Sequence, residues 1–415
     1  MISSGIFVHP VLVIGCRGTF CKISAAILTQ LGPIMFSIRK SLLKSVLSPN
    51  LIIYFAPLLS VAIITVRSWR FEPVNAYNWE NDPRDLRRQL WQKNDNKLNV
   101  AIIQETPVFL NLKASVEKAC SLTREAAKDG ARVIAFPETW LPGYPVWIDT
   151  APQAAIWGHD APRGLYRRLV ENSLAIPGEE FGSLVSAASE SGVHMVMGAH
   201  ELIGSTLYNT MLFISPDGTF KTHRKLTPTY TERLLWGMGD GSTLEVVDAD
   251  FGVLGGLICW EHWLPLARAA MHAKREVVHV AQWPWVRDLH QVASRHYAFE
   301  RQCFVLAAGT VLTLDDVLEG YRSLPGVTAG GIEMLSSMGC AGELLQRGGS
   351  TVIAPDSTYI IEPLFDVCGT IHATVDLGLV TEGHLLMDSD GHYSRPDVFS
   401  LTVNTAPMQG VRFVP

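Results

Sequence analysis

The segment LNVAIIQETPVFLNLKASVEKACSLTREAAKDGARVIAF, residues 98–136, contains the pattern on which the fold prediction rests. It opens with a short apolar run, residues 98–103, and closes with a second one, residues 132–136, and both are typical of buried strands. Between them, residues 112–128 carry apolar side chains at helical spacing, and Gly130 follows as a stop signal. The order strand, helix, strand predicts a right-handed crossover between two parallel strands.

The same alternation continues to about residue 375. The apolar patterns predict helices over residues 177–192, 264–274 and 288–302, and strands over residues 194–198, 251–258, 277–281, 304–308, 351–354 and 370–375. Residues 207–223 are interrupted by Ser-Pro-Asp-Gly at 215–218, which indicates a β-hairpin. No stretch indicates a second domain or an internal repeat. The sequence therefore predicts one α/β domain over residues 98–400, with mixed sheets covered by helices.

Composition and charge exclude several classes of protein. The chain has 415 residues, of which 47% are hydrophobic and 18% charged, so global disorder is excluded. The net charge is −6, which gives no general footprint for nucleic-acid binding. The seven cysteines form no CxxC pair, which argues against a disulfide scaffold and against a thiolate zinc site. This cysteine usage fits a reducing compartment, and we predict a cytoplasmic location.

The first 70 residues differ in character from the rest. They contain seven Lys and Arg and no Asp or Glu, so the other 345 residues carry 27 − 40 = −13. Residues 45–66 lack charge, although Pro49 and Pro57 interrupt them. Three interpretations stay open: a membrane anchor, a targeting leader, or a start assigned too far upstream. Residues 71–97 are predicted to be a linker and residues 401–415 a short tail.

Three reactive side chains directly follow predicted strands. Glu138 follows the strand at 132–136, Lys225 follows the second arm of the hairpin, and Cys259 follows the strand at 251–258. Because ligands and reactive groups of α/β sheets gather at the carboxyl ends of strands, we expect these three to meet. Cys259 also precedes a predicted helix, whose N-terminus is expected to lower the pKa of its thiol.

Four segments along the domain resemble the nitrilase branch of the carbon–nitrogen hydrolases. They occur in the order of that family and read FPETWLPGYP at 136–145, HRKLTPTYTERLLWGMGDGS at 223–242, GLICWEHWLPLAR at 256–268 and DSDGHYSRPDVF at 388–399. The resemblance implies a four-layer αββα sandwich. It also implies that Glu138 is the general base, Lys225 the catalytic lysine and Cys259 the nucleophile, with Glu232 as a second active-site glutamate.

The resemblance implies hydrolysis of an organic nitrile to the carboxylic acid and ammonia, with the nitrile and water as the partners. Trp260, directly after the cysteine, favours this activity over the alternative, an amidase or a nitrile-hydrating enzyme. No metal and no organic cofactor are predicted. His290 and His296 lie six residues apart, which does not match the HExxH spacing of zinc enzymes. A binding protein without catalysis is a further alternative, against which the intact Glu, Lys and Cys argue.

Four aromatic residues near the ends of strands are candidates for a pocket wall: Tyr144, Trp260, Trp283 and Trp285. The alternative for each is packing in the core or at an interface. An aromatic wall favours nitriles with an aryl or bulky alkyl group. The family resemblance also implies a homodimer or a larger homo-oligomer. Only 16 residues follow Phe399, and this favours a dimer or small oligomer over a long filament. Membrane contact is expected only through residues 45–66, if they are present.

Overall fold

Two β-sheets lie at the centre of the structure, a computed structural model that describes residues 96–408. The first sheet has the strand order β13-β1-β2-β3-β4-β5. The second has the order β10-β11-β9-β8-β7-β6, and β12 pairs with β11. The strand bounds are β1 Lys97–Gln104, β2 Val133–Ala135, β3 His194–Ile203, β4 Thr206–Ile214, β5 Phe220–Arg224, β6 Val247–Ala249, β7 Gly252–Ile258, β8 Glu276–Gln282, β9 Phe304–Ala308, β10 Val311–Thr313, β11 Leu344–Ile353, β12 Tyr359–Phe365 and β13 Gly369–Asp376.

Helices cover the outer face of each sheet. The bounds of all α-helices in the described residues are α1 Leu112–Lys128, α2 Trp147–Thr150, α3 Asp160–Glu171, α4 Glu179–Ser191, α5 Pro265–His272, α6 Asp288–Arg301, α7 Leu314–Arg322, α8 Ala329–Ser336 and α9 Gly378–Gly383. Helices α1 and α4 pack on the first sheet, and α5 and α6 lie on the second. The inner faces of the two sheets pack against each other. This is the four-layer αββα sandwich that the family resemblance implies.

The alternation of side chains along β1 explains how a single strand joins two layers. Leu98, Val100 and Ile102 belong to the apolar cluster between the sheets. Ala101 and Ile103 point the other way and belong to the cluster under α1 and α4. Successive side chains of a strand face opposite sides, so a strand buried on both faces is a continuous apolar run.

The crossover predicted from residues 98–136 is present. Strands β1 and β2 are parallel, with Val100 opposite Val133, and α1 connects them. Strand β5 runs in the same direction as β2, because β2 and β3 are parallel and each of the next two pairs is antiparallel. The ends of β2 and β5 therefore lie at the same edge of the first sheet.

Several elements do not appear among the predicted ones. The elements missing from the prediction are helices α2, α3, α7, α8 and α9 and strands β6, β10 and β12. Helices α3, α7 and α8 pack around a third apolar cluster that includes Leu165, Leu169, Val317 and Leu335. They are short, and α8 contains two glycines, so their stability comes from this packing rather than from intrinsic helix propensity.

The expectations about the N-terminal region fall outside the described residues. This applies to the open interpretations of residues 1–70, to the uncharged segment at 45–66, and to the linker up to residue 95. Lys97 is not part of a linker, because β1 begins there and pairs with β13. Within residues 96–408, the helices are too short or too polar to cross a membrane.

Candidate active site

Three strand ends bring the predicted reactive residues together. Glu138 follows β2, and its backbone N–H donates to the carbonyl oxygen of Trp283 at 3.2 Å. Lys225 follows β5, and its N–H donates to the carbonyl oxygen of Asn209 at 2.8 Å. Cys259 follows β7 and is the first residue of a 3₁₀ helix, Cys259–Trp263. Both sheets therefore contribute to one site.

The ammonium of Lys225 lies between two carboxylates. Its Nζ is 2.8 Å from Oε1 of Glu138 and 2.7 Å from Oε2 of Glu232. All three residues are buried. The sulfur of Cys259 and the carboxylate oxygens lie within 4.8 Å of one another, which is close enough to hold a metal ion. The cation that contacts both carboxylates in this structure is the Lys225 ammonium.

Burial and mutual charge set the protonation of these groups. Burial raises the pKa of Glu138 to about 7, against the lowering effect of Lys225. Burial opposes a positive charge on Lys225, but the surrounding acidic groups hold its pKa well above the usual value. Burial and the Glu138 charge raise the pKa of the Cys259 thiol well above the usual value. The expectation of a thiol pKa lowered by a helix N-terminus is therefore wrong: the site favours a thiol beside a carboxylate that can take its proton.

Glu232 is held by three donors besides the packing around it. Lys225 donates to its Oε2, and the backbone N–H of Thr229 donates to the same oxygen at 2.7 Å. The hydroxyl of Tyr144 donates to Oε1 at 3.1 Å. Tyr144 is thus a hydrogen-bonding partner of this carboxylate as well as an aromatic side chain near the site.

Asn209 belongs to the site, although it is absent from the sequence prediction. It lies in β4, and its Nδ2 donates to Oε1 of Glu138 at 2.7 Å. This bond favours the ionised carboxylate. The signal in the sequence is one asparagine in the run TLYNTMLFI, at a buried position where a lone amide needs a partner.

A third buried carboxylate, Glu261, joins the strand ends that carry Lys225 and Cys259. Its Oε1 accepts the N–H of Leu226 at 2.8 Å, and its Oε2 accepts the N–H of Ile258 at 2.7 Å. Nε2 of His223 lies 2.8 Å from Oε2 as well. Burial opposes a charge on His223, but Glu261 holds the pKa of this imidazole above its usual value. Sequence reasoning also missed this pair, whose members are 38 residues apart.

A cavity of about 470 Å³ opens onto Cys259. Tyr144, Trp260 and Trp285, which are three of the four predicted pocket residues, line this cavity. The prediction for Trp283 is wrong. This side chain is fully buried, stacks on His290 with ring centroids 4.2 Å apart, and donates its indole N–H to Ser294.

Residues 283 and 285 are two positions apart, a spacing that puts side chains on the same side of a regular strand. They differ here because β8 ends at Gln282 and the chain bends at Pro284 and Trp285. Trp283 points into the layer under α6, while Trp285 faces the cavity, where the guanidinium of Arg287 lies 4.7 Å from the centre of its ring. The sequence places both tryptophans at the end of a strand. Only the tertiary structure shows that α6 covers Trp283 and leaves Trp285 in the cavity wall.

Comparison with known proteins agrees with the family resemblance and with the fold. The family model for carbon-nitrogen hydrolases matches residues 99–384. An aliphatic nitrilase of Sinorhizobium fredii is 36% identical over 319 residues, which cover 76% of this chain and 98% of that protein. A bifunctional nitrilase/nitrile hydratase of Nicotiana tabacum is 35% identical over 76% of this chain and 88% of its own length. A carbon–nitrogen hydrolase superfamily protein of Xanthomonas campestris has the same fold, with a TM-score of 0.53 at 14% identity, over 74% of this chain and 99% of that one.

The chain belongs to the carbon–nitrogen hydrolase family. Within that family it is a member of the nitrilase branch, and it is a hydrolase that acts on carbon–nitrogen bonds.

Proposed function

We propose that this protein hydrolyses an organic nitrile to the carboxylic acid and ammonia, with Cys259 as the nucleophile. The observation that carries the proposal is the position of Cys259. It lines an open cavity, within reach of Glu138 and of the pair formed by Lys225 and Glu232. The nitrilases at 34–37% identity over about three quarters of the chain support the nitrile as substrate.

The first step adds the sulfur to the nitrile carbon. Glu138, whose pKa is about 7, takes the proton of the Cys259 thiol as the C–S bond forms. One π bond of the nitrile breaks, and its electron pair goes to nitrogen. The proton held by Glu138 then passes to that nitrogen and gives a covalent thioimidate. The ammonium of Lys225 stabilises the charge that develops on nitrogen.

Water then adds to the thioimidate carbon, with Glu138 as the base. The tetrahedral intermediate loses ammonia when the C–N bond breaks, and an acyl thioester remains on Cys259. A second water breaks the C–S bond, releases the carboxylic acid and restores the thiol. Lys225 and the backbone N–H of Trp260 are the donors that we assign to the oxygen anion of these steps.

The second candidate function is formation of an amide. It differs from the first in which bond of the tetrahedral intermediate breaks. If the C–S bond of the first tetrahedral intermediate breaks before the C–N bond, the product is the amide. The relative from Nicotiana tabacum is named as both nitrilase and nitrile hydratase, and this name supports amide formation as a second candidate. Ammonia release with quantification of acid and amide separates the two activities.

The decisive test compares two buried cysteines. We expect Cys259→Ala to lower ammonia release from a nitrile panel by about 10⁴-fold or more, because the covalent route is removed. Cys303→Ala is the matched control, since Cys303 is also fully buried but does not line the cavity. Intact-protein and peptide mass spectrometry with a slow substrate should show the adduct on Cys259. An adduct on another cysteine, or an active Cys259→Ala protein, contradicts the proposal.

The aromatic cavity wall supports a substrate with an aryl or bulky alkyl group. Trp260 and Trp285 are each partly exposed to the cavity, so apolar area is available there. The homodimer implied by the family resemblance stays a prediction.

A further inference from the structure

A chain of buried polar side chains runs from Cys259 into the second sheet. The carbonyl oxygen of Cys259 lies 2.8 Å from Nδ1 of His262, and Nε2 of His262 lies 3.0 Å from Nε2 of His279. Nδ1 of His279 lies 2.9 Å from Oε1 of Glu276. The hydroxyl of Tyr297 donates to the other oxygen of Glu276 at 2.5 Å. None of these residues is more than 4% exposed.

The hydrogens in this chain can be counted. A carbonyl oxygen only accepts, so Nδ1 of His262 carries a hydrogen. One hydrogen lies between the two Nε2 atoms, and another lies between His279 and Glu276. Three hydrogens are therefore shared by two imidazoles and one carboxyl group. Two neutral imidazoles hold two of them, so Glu276 is needed for the third, either as the carboxylic acid or as the counter-ion of an imidazolium.

The fold makes room for Glu276 at this point. Glu276 is the first residue of β8, beside β7, and its carboxylate lies over Gly255. A Cβ at position 255 would lie 1.8 Å from Oε1 of Glu276, so a side chain there would displace the carboxylate. Among the described residues, the ion-pair partner of Glu276 is His279, with no lysine or arginine within 4.0 Å.

The backbone at the other end of the chain is held in an unusual conformation. Cys259 has φ = 52°, in the left-handed region that residues other than glycine rarely adopt. Such a conformation persists only where surrounding contacts fix it. The hydrogen bond from His262 to the Cys259 carbonyl is one such contact, and it exists only in the tautomer of His262 that has its hydrogen on Nδ1.

We propose that Glu276 and His279 are positioning residues for Cys259: they hold His262 in the tautomer whose Nδ1–H fixes the carbonyl of the nucleophile. The inference rests on the proposed role of Cys259. His279 donates from Nε2 to Nε2 of His262, and this places the hydrogen of His262 on Nδ1. Glu276 fixes the hydrogen arrangement of His279 in turn, and Tyr297 orients Glu276. The chain acts on the backbone of Cys259, so it affects the placement of the sulfur and not the binding of substrate.

The test uses substitutions that preserve shape. His279→Phe keeps the ring against Tyr297, 3.8 Å between centroids, but removes both nitrogens. His272→Phe is the matched control, because His272 is also buried against Tyr297 and its Nε2 has no hydrogen-bond partner in the described structure. Glu276→Met breaks the chain at its far end. Glu276→Gln is the rescue variant, because its amide N–H can donate to Nδ1 of His279 as a carboxylic acid would.

The primary measurement is the rate at which iodoacetamide alkylates Cys259. Peptide mass spectrometry separates this cysteine from the exposed Cys340 and Cys368. We expect His279→Phe and Glu276→Met to slow alkylation by about 10-fold or more, as losses of supporting hydrogen bonds do elsewhere. His272→Phe and Glu276→Gln should stay within about 3-fold of the unmodified protein. With a nitrile, kcat should fall in parallel while KM is unchanged.

The outcomes separate this inference from the proposed function. If the protein releases no ammonia from nitriles, the proposed function is overturned. Alkylation requires no nitrile turnover, so the alkylation rates still test the hydrogen-bonded side chains between Cys259 and Glu276. The inference is overturned if the His279→Phe variant folds and its Cys259 is alkylated as fast as in the unmodified protein. It is also overturned if His272→Phe slows alkylation as much as His279→Phe does. If Glu276→Met does not fold, His279→Phe and Glu276→Gln decide the result.

Discussion

The ammonium of Lys225 lies 2.8 Å from Oε1 of Glu138, and neither side chain is exposed to solvent. A buried carboxylate and a buried ammonium in contact each offset the desolvation of the other, so removal of one partner leaves an uncompensated charge. In this site the same two groups stand next to the proposed nucleophile. Their charges therefore support both the folded state and the proposed chemistry.

The pKa of Glu138 predicts how kcat/KM decreases at acidic pH. Glu138 must be ionised to act as base, so kcat/KM should fall as the pH drops through about 7. In Asn209→Leu, the carboxylate loses the hydrogen bond that favours its ionised form, and its pKa should rise by about one unit. Activity is then lost at a higher pH than in the unmodified protein.

The control for this prediction lies on the same strand. Thr210→Val removes a hydroxyl that bonds to Glu201 and not to Glu138. The pH dependence of kcat/KM should be shifted in Asn209→Leu and unshifted in Thr210→Val. Equal profiles for both variants would mean that Asn209 does not influence the proposed base.

Glu138 and Lys225 should behave as a single unit. Glu138→Gln and Lys225→Met should each remove nearly all turnover, because proton transfer and charge stabilisation act in the same steps. The double variant should then be little slower than either single one. Steady-state ammonia release from the two single variants and the double variant measures this. Losses that multiply would show independent roles.

Trp285 should determine part of the substrate preference, while Trp283 should not. Trp285→Ala removes an aromatic wall from the cavity, and we expect the ratio of kcat/KM for aryl nitriles to that for acetonitrile to fall by about 10-fold. Trp283→Ala leaves a hole in the core and should lower the free energy of unfolding by about 3–5 kcal/mol. Denaturant unfolding and kinetics on both variants check the assignment. An unchanged ratio in Trp285→Ala would contradict it.

Residues 1–90 should be dispensable for catalysis. The first described strand begins at Lys97, and the family model matches from residue 99. A chain that starts at residue 91 should fold, with the same thermal unfolding midpoint and the same ammonia release per mole of protein. Loss of folding on truncation would show that the N-terminal segment packs into the domain.

The sequence alone predicted an α/β domain with mixed sheets and the strand ends that carry Glu138, Lys225 and Cys259, and the family resemblance implied its four-layer arrangement. Apolar periodicity fixes which segments become strands and helices, and strand ends follow directly from those boundaries. The same local information does not show how side chains of distant segments meet. Helices α3, α7 and α8 escaped prediction because they depend on packing against one another.

Only the tertiary structure decided the electrostatics of the site and the wall of its cavity. The thiol pKa of Cys259 is raised because the side chain is buried beside carboxylates, although a 3₁₀ helix begins at this residue. Asn209 became a partner of Glu138 through strand pairing, and Trp283 became core because α6 covers it. Burial and charge contacts are properties of neighbours in space, and Glu138 and Lys225, which are in contact, lie 87 positions apart in the chain.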